Sequence, residues 1–187
     1  MCYPVDRCFG GRRQVRKGRV QTISHSVVRL TDPARVDELY VLVHGVFGAL
    51  RIDPPSSVLK ETVADFTARL ASETCFAIEV DGRLIASIFC APDGDALYVG
   101  RLAVAPDWRR RGIASALIEA AKDEARRVGA RRITLGARIA LAGNVALFRR
   151  HGFEVVRATC HPGFATPTSY DMEWVRGASE EVAPCRG

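Results

Sequence analysis

Between Ala96 and Gly129 the sequence reads ALYVGRLAVAPDWRRRGIASALIEAAKDEARRVG. An apolar strand pattern runs into three consecutive arginines and a glycine, then opens an amphipathic helix. A helix start leaves its first backbone N–H groups without intrahelical partners and carries the positive end of the helix dipole, so backbone alone attracts an anion there. Gly112 lets that backbone come close, while Arg109, Arg110 and Arg111 add charge at the same spot. The order strand, basic turn, helix builds an anion cradle, and the rest of the chain has to be arranged around it.

A length of 187 residues with 48% hydrophobic content fits one domain with tails. No apolar run approaches the roughly 18 residues that span a bilayer, so no membrane association is expected. The basic N-terminus has no apolar stretch behind it, which argues against a secretory leader. The six cysteines, at 2, 8, 75, 90, 160 and 185, have neither Cys-x-x-Cys spacing nor the density of a disulfide framework. A reducing cytoplasm fits them best, with Cys75 and Cys90 as small core residues. No metal site is expected, because His25 and His44 have no partners at ligand spacing.

The net charge of +6 is unevenly placed. Residues 1–20 carry six basic groups against one acid, residues 21–100 six against eleven, and residues 101–157 thirteen against five. Positive charge therefore gathers around the cradle, whereas the acidic first half suits a cationic amine ligand. Nucleic acid finds support only in the basic tail, which lacks interleaved aromatics.

Residues 1–20 show no sustained period and read as a disordered tail, and residues 177–187 read as a loose C-terminal one. Between them, Val27 to Leu30 forms a first strand. Asp32 then caps a helix with Pro33 in its first turn, and Val36, Leu39, Tyr40, Val43 and Phe47 fall on one face. Pro54-Pro55 ends that helix, and a second runs to Leu70 with Val58, Thr62, Val63 and Phe66 aligned. Asp81-Gly82 between two β-rich runs predicts a hairpin, and a strand over Leu97 to Val104 follows. The helix after Gly112 is expected to bury Ile113, Ala116, Leu117, Ala120, Ala121 and Val128 and to stop at Gly129. A strand at Ile133 to Ala137, a helix at Asn144 to His151 and a closing pair at Phe153 to Cys160 and Ser169 to Val175 complete the order β-α-α-β-β-β-α-β-α-β-β.

Arg109-x-x-Gly112-x-Ala114, set behind the strand end Leu102-x-Val104-x-Pro106 and followed by NVALFRRHGF at Asn144 to Phe153, resembles the signature segments of the GNAT superfamily of N-acetyltransferases. The resemblance covers about Ser26 to Arg176. It implies a mixed, mostly antiparallel sheet flanked by helices in that same α/β order, with acetyl-CoA as co-substrate. It also implies transfer of the acetyl group to a primary amine by direct attack in a ternary complex. The amine, a small molecule or a peptide, is not named by the sequence, and a homodimer is left open.

By the same resemblance, main-chain groups of Leu102, Ala103 and Val104 pair with the pantetheine arm, beside a bulge for which Gly100 is well suited. Gly112, Ile113 and Ala114 donate backbone N–H groups to the pyrophosphate, joined by Arg109, Arg111 and Arg110. Asn144 is either a cofactor contact or a helix N-cap, and Arg150, like Arg149, either reaches the adenosine phosphate or lies on an exposed face. Many family members place a tyrosine, as general acid, where this chain has Phe148, and a carboxylate on the fourth strand where it has Tyr98 and Gly100. Tyr98 and His161 remain as candidate proton carriers, although His161 in His161-Pro-Gly-Phe164 also suits a turn. The missing acid and base keep a second reading open, a noncatalytic acyl-CoA-binding or regulatory module. The loops at Arg51 to Ser57 and His161 to Thr168 would shape acceptor specificity.

Overall fold

In the computed structural model, which describes residues 26–177, the Asp81-Gly82 pair takes positive φ angles of 50° and 77° and joins two antiparallel strands, as its turn chemistry requires. The strands are β1 (Val27–Leu30), β2 (Thr74–Val80), β3 (Arg83–Asp93), β4 (Ala96–Val104), β5 (Arg132–Arg138), β6 (Glu154–Thr159) and β7 (Ser169–Val175). The helices are α1 (Val36–Gly48), α2 (Val63–Ser72), α3 (Ile113–Val128) and α4 (Ala142–Arg150). Together they follow the order expected from the sequence, in one seven-stranded sheet ordered β1-β2-β3-β4-β5-β7-β6. Only the central β4–β5 pair is parallel. The expectations for residues 1–20, His25 and the segment after Gly177 lie outside the described residues.

The sheet buries both faces. Leu39, Val43 and Val46 of α1 and Phe66 of α2 pack with Cys75, Ala77, Phe89 and Ala103 on one side. Ile113, Leu117, Ile118, Ala121 and Ala125 of α3 and Val145 and Phe148 of α4 pack with Ile88, Cys90, Leu97 and Ile133 on the other. Cys75 and Cys90 thus face opposite layers, and burial pushes the Cys90 thiol up to about 12 and the Cys75 thiol in the same direction.

Three local expectations are corrected. Val58 sits in a short 3-10 turn (Ser57–Lys60), not in α2, because Thr62 and Asp65 form a reciprocal capping box that starts the helix at Val63. Val128 is 48% exposed at the end of α3, whereas Ile118, Lys122, Glu124 and Ala125 are buried. The N-cap of α4 is Leu141, which leaves Asn144 exposed one turn in and removes its capping role.

Candidate functional site

The parallel pairing of β4 with β5 covers only Ala96, Leu97 and Tyr98 against Arg132, Ile133 and Thr134. Beyond Tyr98 the two strands part, so the edge of β4 from Val99 to Val104 has no β5 partner. On its other side β4 pairs with β3 through an irregularity: Gly100 faces Phe89 and Ala103 faces Ser87, so Arg101 and Leu102 together oppose Ile88. The bulge falls on Arg101, whose φ is 51°, and not on Gly100.

A non-glycine residue at positive φ needs outside support. The Arg101 guanidinium supplies it through two hydrogen bonds to the Glu61 carboxylate, one of them 2.8 Å from Nε. Glu61 also pairs with Arg69, which in turn bonds Glu73. Burial alone would raise the Glu61 carboxyl, but hydrogen bonding to Arg101 holds it below the ordinary carboxylate range. Gly100 makes room for an aromatic side chain instead. The Tyr98 ring lies over it, and a Cβ there would come within 3.2 Å of that ring.

The gap between β4 and β5 opens into a cavity of about 810 Å³, bounded by the end of α1, the loop before α2, the starts of α3 and α4, and the end of β5. At one end stands the start of α3. Gly112 occupies its N-cap at φ 80°, with no side-chain cap, and a Cβ built on it would meet nothing within 4 Å. No side chain of the N-cap covers the first N–H groups of α3, and Gly112, Ile113, Ala114 and Ser115 line the cavity. Arg110 precedes them at φ 60°, and Arg109 Nε donates to the Val104 carbonyl at 3.2 Å.

Of the residues singled out by sequence, Tyr98, Leu102, Val104, Arg109, Arg110, Gly112, Ile113, Ala114, Asn144, Phe148, Arg150 and His161 all line this cavity. Ala103 and Arg111 do not. The Ala103 side chain is buried under α1, which leaves only its main chain near the site, and the Arg111 guanidinium lies 4.8 Å from the centre of the Trp108 ring. Phe148 is both cavity wall and core, set edge-on to Phe153 at 5.7 Å. Tyr98 is 41% exposed. His161 takes two contacts from its own turn, since its backbone N–H donates to Thr168 Oγ1 and its Nδ1 lies beside the same hydroxyl.

The sequence reading missed a group beside the cradle. Ser115, in the first turn of α3, lines the cavity, and its Oγ lies 2.9 Å from Nε2 of His151. Nδ1 of His151 lies 2.8 Å from Glu119, which also pairs with Lys122. The i, i+4 spacing of Ser115 and Glu119 could have put both on one helix face, but not the histidine that joins them.

An uncapped helix start is suited to phosphates, and an unpaired strand edge is suited to a linear, amide-bearing arm. The acetyltransferase (GNAT) family matches over residues 40–153, and the chain belongs to that family. Among solved structures, the paia N-acetyltransferase of Thermoplasma acidophilum, in complex with coenzyme A, superposes with a TM-score of 0.69 at 13% identity, covering 82% of this chain and 99% of that one. A GNAT-family acetyltransferase from Streptococcus pneumoniae gives 0.65 at 16% identity, covering 80% and 99%. The ribosomal-protein-S18-alanine N-acetyltransferase of Escherichia coli gives 0.63 at 21% identity, covering 81% and 93%. At such identities the likeness is one of fold. No curated protein matches the chain in sequence.

Among the described residues no helix is long and apolar enough to cross a membrane, and no cluster of three or more His, Cys, Asp or Glu is placed to hold a metal ion.

Proposed function

We propose that the chain is an acetyl-CoA-dependent N-acetyltransferase that acts on a primary amine by direct attack in a ternary complex. The observation that carries this reading is that the side-chain-free start of α3 and the unpaired edge of β4 open into one cavity. Acetyl-CoA supplies the acetyl group as an activated thioester. Gly112, Ile113 and Ala114 bind its pyrophosphate through backbone N–H groups, with Arg109 and Arg110 adding charge. Main-chain groups of Leu102 and Val104 orient the pantetheine arm as an added strand, and Arg150 and Asn144 at α4 complete the cofactor side.

In the transfer, an N–C bond forms as the C–S bond breaks, and one proton passes from the amine to the departing sulfur, directly or through solvent. An ammonium of pKa near 10.4 is only about one part in a thousand neutral at pH 7.4, so its deprotonation costs roughly 4 kcal/mol. None of the described residues lining the cavity is an aspartate or glutamate that could take this proton. Tyr98 and His161 are the side chains at the wall able to relay it to water.

The same deficit, with Phe148 where a hydroxyl would act, favours the second reading, a noncatalytic acyl-CoA-binding or regulatory module. The two separate in one assay. Release of CoA thiol that depends on both acetyl-CoA and an amine, across a panel of amines, supports the enzyme, whereas CoA binding without amine-dependent release supports the module.

A further inference from the structure

The acidic first half of the domain suggested a cationic ligand, but five of its carboxylates are paired with arginines. Glu61 and Glu73 pair with Arg69 and Arg101, Glu38 and Glu79 with Arg35, and Asp95 with Arg132. The described residues around the cavity include Arg101, Arg109, Arg110, Arg138 and Arg150 and no acidic side chain. Arg109, Arg110 and Arg150 stand on the helix-start side, where phosphates need them. Arg101 is neutralised by its paired hydrogen bonds to Glu61. Arg138 remains.

Arg138 ends β5, on the stretch that has parted from β4, beside the loop before α2. Its Nη1 donates to the Pro54 carbonyl at 2.8 Å and its Nη2 to the Asp53 carbonyl at 2.6 Å. Both partners are neutral, and Arg138 forms no ion pair among the described residues. Its Nε is buried without a hydrogen-bond partner. Burial works against its charge and lowers its pKa from the ordinary arginine value, with Asp53 opposing only through space. Two of five N–H groups are engaged, and each Nη keeps a second. A partly desolvated guanidinium anchored at a cavity wall without a bonded carboxylate is a receptor for a planar anion, since charge-assisted bonds to a carboxylate are roughly twice as strong as neutral ones. The same cavity has an apolar lining in Phe47, Leu50, Ile52 and Val58, which flank in sequence the Asp53-Pro54 segment that Arg138 bonds.

On the reading that the cavity is an acetyltransferase site, we infer that the acceptor is a small amine carrying its own carboxylate and an apolar body, of the kind found in apolar α-amino acids. Arg138 holds the carboxylate, the apolar lining takes the side chain, and the amine is left facing the gap between β4 and β5. Polyamines and lysine-rich peptides are disfavoured, because their extra positive charge meets arginines and no carboxylate.

The test is acetyl-CoA-dependent thiol release by the full chain with matched acceptors: leucine, methionine and phenylalanine, their amides, their decarboxylated amines, and spermidine. An amino-acid amide has the lower amine pKa and more neutral amine at pH 7.5, so intrinsic reactivity favours the amide. The expected result runs against that order, with kcat/KM for each free amino acid at least tenfold above its amide and its decarboxylated amine. Arg138→Gln should bring the ratio close to one and Arg138→Lys should keep part of it. Should either variant fail to fold, the acceptor series on the unaltered protein decides alone. Equal or faster turnover of amides, simple amines or spermidine overturns the inference and leaves the transferase reading standing. No release with any amine overturns the transferase reading itself.

Discussion

His151 Nε2 lies 2.9 Å from Ser115 Oγ, in the first turn of the helix whose N-terminus faces the cavity. On the other side of the ring, Nδ1 lies 2.8 Å from Glu119 Oε1. A carboxylate can only accept, so it fixes the proton of neutral His151 on Nδ1, and Nε2 then accepts the hydroxyl hydrogen of Ser115. The serine proton is drawn away from the cradle.

His151→Ala should therefore free the Ser115 hydroxyl to donate toward an anion and strengthen CoA binding a few-fold, and the further change Ser115→Ala should abolish that gain. Calorimetric CoA titrations of the single and double variants check it, and an equal effect of His151→Ala with and without Ser115 would refute the coupling.

A Cβ on Gly112 would meet no atom within 4 Å, so a side chain there disturbs no packing and acts only on what approaches from the cavity. Its φ of 80° makes valine a poor probe, because a β-branched residue is strongly strained there. Gly112→Ala costs about 1–2 kcal/mol of stability and puts a methyl group where the pyrophosphate must approach. CoA affinity should drop at least tenfold in a protein that still melts cooperatively. Unchanged affinity in that variant would move the phosphate site away from α3.

Much of the fold was legible because its signals are local. Asp81-Gly82 and Gly129 act through the φ angles of one or two residues, and β2, β3 and α3 begin or end where these stand, whereas α1 already stops at Gly48, ahead of the Pro54-Pro55 pair expected to end it. The site was legible only in part. That β4 parts from β5 after Tyr98 follows from how the sheet is assembled, and the bulge sits at Arg101 because Glu61, forty residues earlier, holds an arginine in a conformation that its own type disfavours. Ser115, His151 and Glu119 meet across two helices, which spacing along the chain does not reveal. Asn144 looked like a cap because it precedes an apolar run, yet α4 begins earlier, at Ala142.

Phe148 lines the cavity while packing edge-on against Phe153, so a tyrosine there keeps the ring contact and adds a hydroxyl at the family's usual acid position. A positioned acid is typically worth about 10²–10⁴ in rate. Phe148→Tyr should raise kcat at least tenfold on a fixed acceptor with little change in CoA affinity. Steady-state kinetics and CoA calorimetry on the same preparation measure both. Unaltered turnover, together with full activity in His161→Ala and Tyr98→Phe, would assign the proton to solvent.

Glu124 ties α3 to the sheet edge. Its side chain is 3% exposed and accepts from Arg127, Thr74 and Arg29. Hydrogen bonding to Arg127 comes first in holding its carboxyl down at about 2, against burial, which raises it, and with help from Thr74 and Arg29. A carboxylate depressed in the folded state stabilises above its unfolded pKa and loses that contribution as pH falls through the folded one. Both arginine partners are substantially exposed and remain hydrated when the carboxylate is removed, so Glu124→Gln should cost about 1–3 kcal/mol at pH 7. The difference from the unaltered protein should shrink as pH falls from about 4.5 to 2. Melting curves across that range test it, and a gap that stays constant would show that the charge is not what stabilises.

The most direct test of acetyl transfer is mass spectrometry of an amine panel incubated with acetyl-CoA and the full chain, run alongside thiol release. Acetylated amine accumulating in step with thiol, and falling at least tenfold in Gly112→Ala at limiting acetyl-CoA, is the expected result. Tight CoA binding with no acetylated amine from any acceptor would contradict it and identify the chain as a noncatalytic acyl-CoA-binding module.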